Sequence, residues 1–193
     1  MSELDPIQRF KASLARAETH GITLPNAMSV ATVSADGKPS VRMMLLKGAD
    51  EHGFVFYTCL KSRKGQEMAK RSFASLCFWW PPLEEQVRVE GRVERVGDRE
   101  ADTYFATRPR ESQLAAWASK QSEVLPSREL LLAEVEKFRK LYEGKEVPRP
   151  PFWVGFLLIP ERIEFWYGRP DRLHERVLYT HRGGKWVTTL LYP

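Results

Sequence analysis

Long apolar runs are missing from this chain. The longest, Phe152 to Pro160, is about half the roughly 20 residues a membrane helix needs, so no membrane contact is expected. Cysteine is scarce: Cys59 and Cys77 are too far apart for a Cys-x-x-Cys motif and read as reduced thiols acting as small core residues. The four histidines, His20, His52, His174 and His181, share no metal-ligand spacing with one another or with cysteine, and no metal site is expected. The glycines and prolines follow no period, which excludes a collagen-like chain, and no G-x-G-x-x-G is present. Met1 to Asp5 carries neither a basic n-region nor an apolar stretch, so no secretory signal is expected and the cytoplasm is the expected location. Blocks of one charge are also missing. Thirty Lys and Arg against 25 Asp and Glu leave a net charge of +5, but the signs are interleaved and nucleic acid is not an expected partner.

What is present suits a single domain over 1–193. Hydrophobic residues are 42% and charged residues 28%, enough to build one core without a disulfide or metal staple. Ile7, Phe10, Leu14 and Ala17 have helical spacing behind Asp5-Pro6, an N-cap and first-turn proline; this N-terminal helix, within 1–20, is expected at the periphery. Met28–Val33 and Val41–Lys47 read as strands joined by a turn around Asp36-Gly37, followed by a strand over Phe54–Thr58. Ser62 caps a short helix to Arg71, and Phe73–Trp80 is a strand stopped by Pro81-Pro82. Val87, Val89, Gly91 and Val93 alternate along another strand. Asp98 is read as the cap of a helix ending near Arg108, before Pro109, and Ser127 as the cap of a longer one to Tyr142. After a proline-rich linker come strands over Phe152–Ile159 and Arg162–Tyr167, and a hairpin at Arg182-Gly183-Gly184. Consecutive strands with inserted helices predict a mainly β fold, an antiparallel barrel with peripheral helices.

Three clusters carry candidate chemistry. Arg63 and Lys64 follow Ser62 at a helix start, where cations oppose the helix dipole and an anion is favoured; two exposed surface cations would explain the pair equally well. Tyr104 and Arg108 are four residues apart with Ser112 beyond Pro109, donors that suit a second phosphate, though an arginine packed over a tyrosine ring has the same spacing. Arg172, His174 and Arg176 fall on one side if their stretch is extended, as they also would in an ordinary surface hairpin.

Seven segments in order resemble the pyridoxamine 5′-phosphate oxidase family: Arg42-Met-Met-Leu-Leu-Lys47, Phe54-Val-Phe-Tyr-Thr58, Ser62-Arg-Lys64, Leu83 to Gly91, Tyr104 to Ser112, Ala116-Trp-Ala-Ser-Lys-Gln-Ser122 and Ile163 to Arg176. The resemblance implies an FMN-binding split β-barrel that works as a homodimer with FMN at the interface. It implies FMN contacts from Arg42, Met43, Met44, Leu45, Leu46, Lys47, Tyr57, Thr58, Arg63, Lys64, Gln86, Gln121, Ser122, Trp166 and Arg176. Substrate would meet Lys47, Tyr104, Arg108 and Ser112 through its phosphate, with Arg172 and His174 as binding and catalytic groups at the pyridine end. The implied reaction oxidises pyridoxamine or pyridoxine 5′-phosphate to the aldehyde, pyridoxal 5′-phosphate, with dioxygen as acceptor and hydrogen peroxide as product. Ala115, Tyr167 and the Leu190-Leu191-Tyr192-Pro193 ending depart from the usual pattern. A relative that only binds flavin is the competing reading; it has no need of the second phosphate set.

Overall fold

In the computed structural model, which describes residues 5–193, Asp5 caps helix α1 (Pro6–Thr19), its carboxylate accepting the Ile7 N–H at 2.9 Å. Residues 1–4 of the expected N-terminal segment lie outside the described residues. The helix was expected at the periphery, yet its apolar face enters the barrel. Phe10 is fully buried, with ring centroids 4.9 Å from those of both Phe54 and Phe78. Arg9 adds a polar tie, donating to the Tyr167 hydroxyl at 3.0 Å and to the Tyr179 hydroxyl at 2.9 Å. The unusual Tyr167 therefore anchors α1.

The strands follow as β1 (Ala27–Val33), β2 (Pro39–Leu45), β3 (Gly48–Asp50), β4 (Gly53–Cys59), β5 (Phe73–Trp80), β6 (Glu85–Arg95), β7 (Trp153–Tyr167), β8 (Glu175–Arg182) and β9 (Lys185–Leu191). Helix α2 (Arg63–Lys70) lies between β4 and β5, and α3 (Asp98–Ala106), α4 (Arg110–Ala118) and α5 (Arg128–Leu141) lie between β6 and β7. All strand pairs are antiparallel, in the order β2-β1-β5-β6-β7-β4-β3. Alternate residues of β1, β5 and β6 are buried, as a sheet curled around one core requires.

The split arises on β7. Its first part, Trp153–Leu158, pairs with β4, while Arg162–Tyr167 pairs with β8 on the same edge; β6 runs along the other edge of both. The two strands expected here are one 15-residue strand with an irregularity where Gly91 faces Pro160 and Glu90 faces Arg162. Pro160 has no N–H to donate, so it fits at the break in the ladder. A Cβ on Gly91 would come within 2.0 Å of the Ile159 carbonyl oxygen, so the close approach requires glycine.

Two further expectations need correction. Gly97, not Asp98, is the N-cap of α3, and Asp98 lies in the first turn. Helix α4 was not expected at all, because Pro109 reads as a helix stop; it is also the N-cap of the helix that follows. Phe105, Leu114, Val147 and Trp153 form a second apolar cluster that fixes these helices against the start of β7.

Candidate active site

A cavity of about 490 Å³ opens between β2, the end of β4, α2 and the α3–α4 corner. Its α2 end is cationic. Ser62 is fully buried as the N-cap, donating to the Cys59 carbonyl at 2.7 Å and accepting the Gly65 N–H. That cap turns Lys64 into the cavity, where its ammonium donates to Gln121 Oε1 at 2.8 Å. Burial, and then the Arg42 charge, lower the Lys64 pKa. Thr58 donates to the same Gln121 oxygen at 3.2 Å, so the amide's donor end is left for a ligand. Arg42 donates to Thr32 Oγ1 and Ser40 Oγ, each at 2.6 Å, and Arg63 Nε donates to Glu67 at 2.9 Å.

The opposite end is aromatic with one exposed need. Tyr57 stacks on Tyr104 (4.2 Å between centroids) and on Trp153 (5.0 Å). Burial and the neighbouring Glu100 push the Tyr57 pKa up to about 12, so it stays a neutral phenol. Arg108 lies 4.8 Å over Trp153, and its Nη1 is buried without a hydrogen-bond partner among the described residues. Burial lowers its pKa. A buried guanidinium nitrogen left unpaired costs free energy unless an acceptor completes it. Ser112, in the first turn of α4, lines the same end with Tyr104 and Lys47, and no side chain caps that helix. The expected spacing of Tyr104 and Arg108 on one helix face is corrected in detail: α3 stops at Ala106, and Arg108 reaches the cavity from the corner beyond it.

Of the other expected residues, Met43, Met44 and Leu45 line this cavity, and Ala115 adds its methyl to the wall. Leu46 does not: its side chain is buried in the barrel core, leaving only its backbone near the site. Arg63 and Ser122 line an adjoining cleft that shares Gln121 with the cavity.

Gln86, Trp166 and Arg176 lie elsewhere, as direct cross-strand neighbours on β6, β7 and β8. Their face points out of the barrel. The His174 ring sits 4.5 Å from that of Trp166, and His174 Nδ1 accepts the Arg169 N–H at 3.2 Å. Arg176 donates to buried Glu164 at 2.8 Å and to the Tyr192 carbonyl at 2.9 Å. Burial would raise the Glu164 pKa, but hydrogen bonds from Arg176 and Arg88 hold it below the usual carboxylate range. The extended stretch expected through Arg172 and His174 is absent. Pro170–Arg172 is a 3-10 turn, with Asp171 (φ +58°) and Arg172 (φ +62°) in the left-handed region, at a cost of roughly 1–2 kcal/mol each. Arg172 is exposed.

Sequence reasoning passed over Trp153, Glu67 and Glu164. Only the Arg63–Glu67 spacing of four gave a local signal; the others depend on strand register.

Two family models cover most of the chain: pyridoxamine 5′-phosphate oxidase over residues 16–142, and the pyridoxine 5′-phosphate oxidase C-terminal dimerisation region over 153–193. The chain belongs to the pyridoxamine 5′-phosphate oxidase family. This is a family of oxidoreductases. Among its members, the pyridoxine/pyridoxamine 5′-phosphate oxidase of Myxococcus xanthus strain DK1622 is 55% identical, the match covering 98% of this chain and 92% of that protein. The enzyme of the same name from Gloeothece citriformis strain PCC 7424 is 50% identical, over 98% and 89% of the two chains. Among solved structures, PhzG from Burkholderia lata 383, in complex with tetrahydrophenazine-1-carboxylic acid, superposes with a TM-score of 0.94 at 34% identity, covering 100% of this chain and 94% of its own.

Proposed function

We propose that this family member catalyses the FMN-dependent oxidation of pyridoxamine 5′-phosphate and pyridoxine 5′-phosphate to pyridoxal 5′-phosphate, reducing dioxygen to hydrogen peroxide, with the amine substrate taking up water and releasing ammonia. The observation that carries the reading is Arg108 Nη1, buried and unpartnered beside Lys47, Tyr104 and Ser112. A phosphate oxygen satisfies that donor, and the surrounding groups match the remaining oxygens. At the other end Lys64, Arg42 and the free donor end of Gln121 suit a second phosphate, as FMN needs and riboflavin does not.

FMN would be held by residues 42–47, Tyr57, Thr58, Arg63, Lys64, Gln121 and Ser122, together with Gln86, Trp166 and Arg176. Bound there, it supplies the two-electron acceptor for the oxidation. The chain's own groups bind and orient. Lys47, Tyr104, Arg108 and Ser112 hold the substrate phosphate, and the Trp153–Tyr57–Tyr104 stack excludes water beside it. His174 accepts at Nδ1, so its neutral ring carries the proton on Nε2, where it can donate to the substrate. Arg172 meets the pyridine end.

The functional unit of the proposal is a cytoplasmic homodimer. Gln86, Trp166, His174 and Arg176 do not line the cavity of their own chain, so a second copy would supply them. Apolar side chains stand on the outer sheet face, among them Val41 (67% exposed), Met43 (65%) and Trp79 (47%), which suits burial against that copy. No helix among the described residues is long and apolar enough to cross a membrane.

The test is anaerobic addition of pyridoxine 5′-phosphate to the purified yellow protein. The flavin absorbance should bleach as aldehyde forms, then return in air with release of peroxide. The likeness to PhzG supports one other reading, oxidation of a reduced tricyclic carboxylic acid; turnover of such a compound without bleaching by pyridoxine 5′-phosphate would favour it.

A further inference from the structure

We propose that Glu67 is a positioning residue for the flavin phosphate end: it fixes Arg42 and Arg63, and through them the preference for FMN over riboflavin. The inference rests on the FMN reading above. Glu67 lies in α2 and is only 6% exposed. One carboxylate oxygen accepts from Arg63 Nε at 2.9 Å. The other accepts from Thr32 Oγ1 at 2.5 Å and Ser40 Oγ at 2.9 Å, and lies 3.5 Å from Arg42 Nη2. A single carboxylate thus ties β1 and β2 to the start of α2.

Stability alone is a poor reason for this arrangement, since a buried ion pair is often no better than apolar packing of the same volume. Both cationic partners belong to the same end of the cavity and its adjoining cleft. Arg63 sits at the first position of α2, where its charge opposes the helix dipole and its long side chain is more than half exposed. Without a fixed acceptor on Nε, that side chain would have to be ordered when the phosphate arrives. Glu67 orders it beforehand and leaves the two terminal nitrogens available. It also moderates the charge. Arg42, Arg63 and Lys64 less the one carboxylate of Glu67 leave a positive charge that balances a phosphate dianion.

The experiment uses the full chain stripped of flavin and titrated separately with FMN and riboflavin by fluorescence quenching. Parent, Glu67→Gln, Glu67→Asp, Arg63→Ala and the Arg63→Ala/Glu67→Gln double variant are compared. Glu67→Gln should weaken FMN roughly tenfold, the scale of ordering one or two long side chains, and leave riboflavin within about twofold. Glu67→Asp should recover part of the loss. In the Arg63→Ala background the Glu67→Gln effect should shrink, because part of it acts through Arg63. FMN affinity equal to or tighter than the parent's in Glu67→Gln would overturn the inference. So would parallel loss of both flavins in Glu67→Gln and Glu67→Asp, which would make the carboxylate a fold element only. A parent that binds the two flavins equally would overturn the FMN reading itself, and this inference with it.

Discussion

The cavity and the outer sheet face hold the two halves of the proposed site, and they are built in opposite ways. Within one chain the cavity is lined by several cations and left with a buried donor, Arg108 Nη1, that nothing among the described residues satisfies. On the outer face Arg176 is engaged by Glu164 and the Tyr192 carbonyl and the Arg169 N–H by His174, while Arg88 Nε, beside Glu164, is buried without a partner among the described residues. What is open there is apolar surface and the exposed, strained loop that carries Arg172. An unsatisfied donor in a pocket calls for a small anion. A largely paired face with exposed apolar side chains calls for a second surface. Under the proposed function, the cavity would bind the phosphates and the face would align the reacting end.

The largest effect should come from Arg108→Ala. Losing one charge-assisted contact of about 1.5–3 kcal/mol should raise KM for pyridoxine 5′-phosphate by one to two orders of magnitude, with a smaller change in kcat. Steady-state kinetics at constant flavin content measures it; an unchanged KM would remove the cavity from substrate binding. Arg172→Ala should lower kcat, by roughly tenfold, because alignment rather than affinity is lost. A pure KM effect there would break the contrast between the two halves. Lys64→Met should weaken FMN severalfold and leave riboflavin unchanged, since only the phosphate loses a partner, worth about 1 kcal/mol at this half-exposed position.

The last effect is on stability rather than on activity or flavin affinity, and it belongs to Glu67. Its folded pKa is lowered from 4.5 to about 2: burial opposes the charge, and the hydrogen bonds from Thr32, Arg63 and Ser40 outweigh it. A depressed carboxylate stabilises the fold above its unfolded pKa, and that contribution is lost as pH falls from 4.5 towards 2. Urea melts of parent and Glu67→Gln should therefore converge across that window. Curves that stay parallel would mean the carboxylate is not held ionised.

Local signals made most of the barrel legible. Asp5, Ser62 and Ser127 are the caps of α1, α2 and α5 as read, because capping depends on a few adjacent residues. Alternation located β6 for the same reason. Proline misled twice. Pro109 ends one helix and opens another, and Pro160 sits within a strand whose ladder is already interrupted. In the site, Lys64, Tyr104, Arg108 and Ser112 were legible as donors, but their convergence on one cavity depends on the α3–α4 corner, which the sequence pattern did not reveal. Arg172 was misplaced because alternation assumes extended backbone, and two successive left-handed residues break it.

The central claim, that the cavity of one copy meets the outer face of another, is tested most directly by mixing subunits. Arg108→Ala and Arg172→Ala chains, each expected to keep about a tenth or less of the parent's kcat/KM, are unfolded together and refolded as a random mixture. If the site is shared, each mixed dimer places both lesions in one site and leaves the other intact, so activity should return to about one quarter of the parent's. If each chain builds its site alone, every site in the mixture carries a lesion, and activity no higher than the average of the two variants would contradict the account.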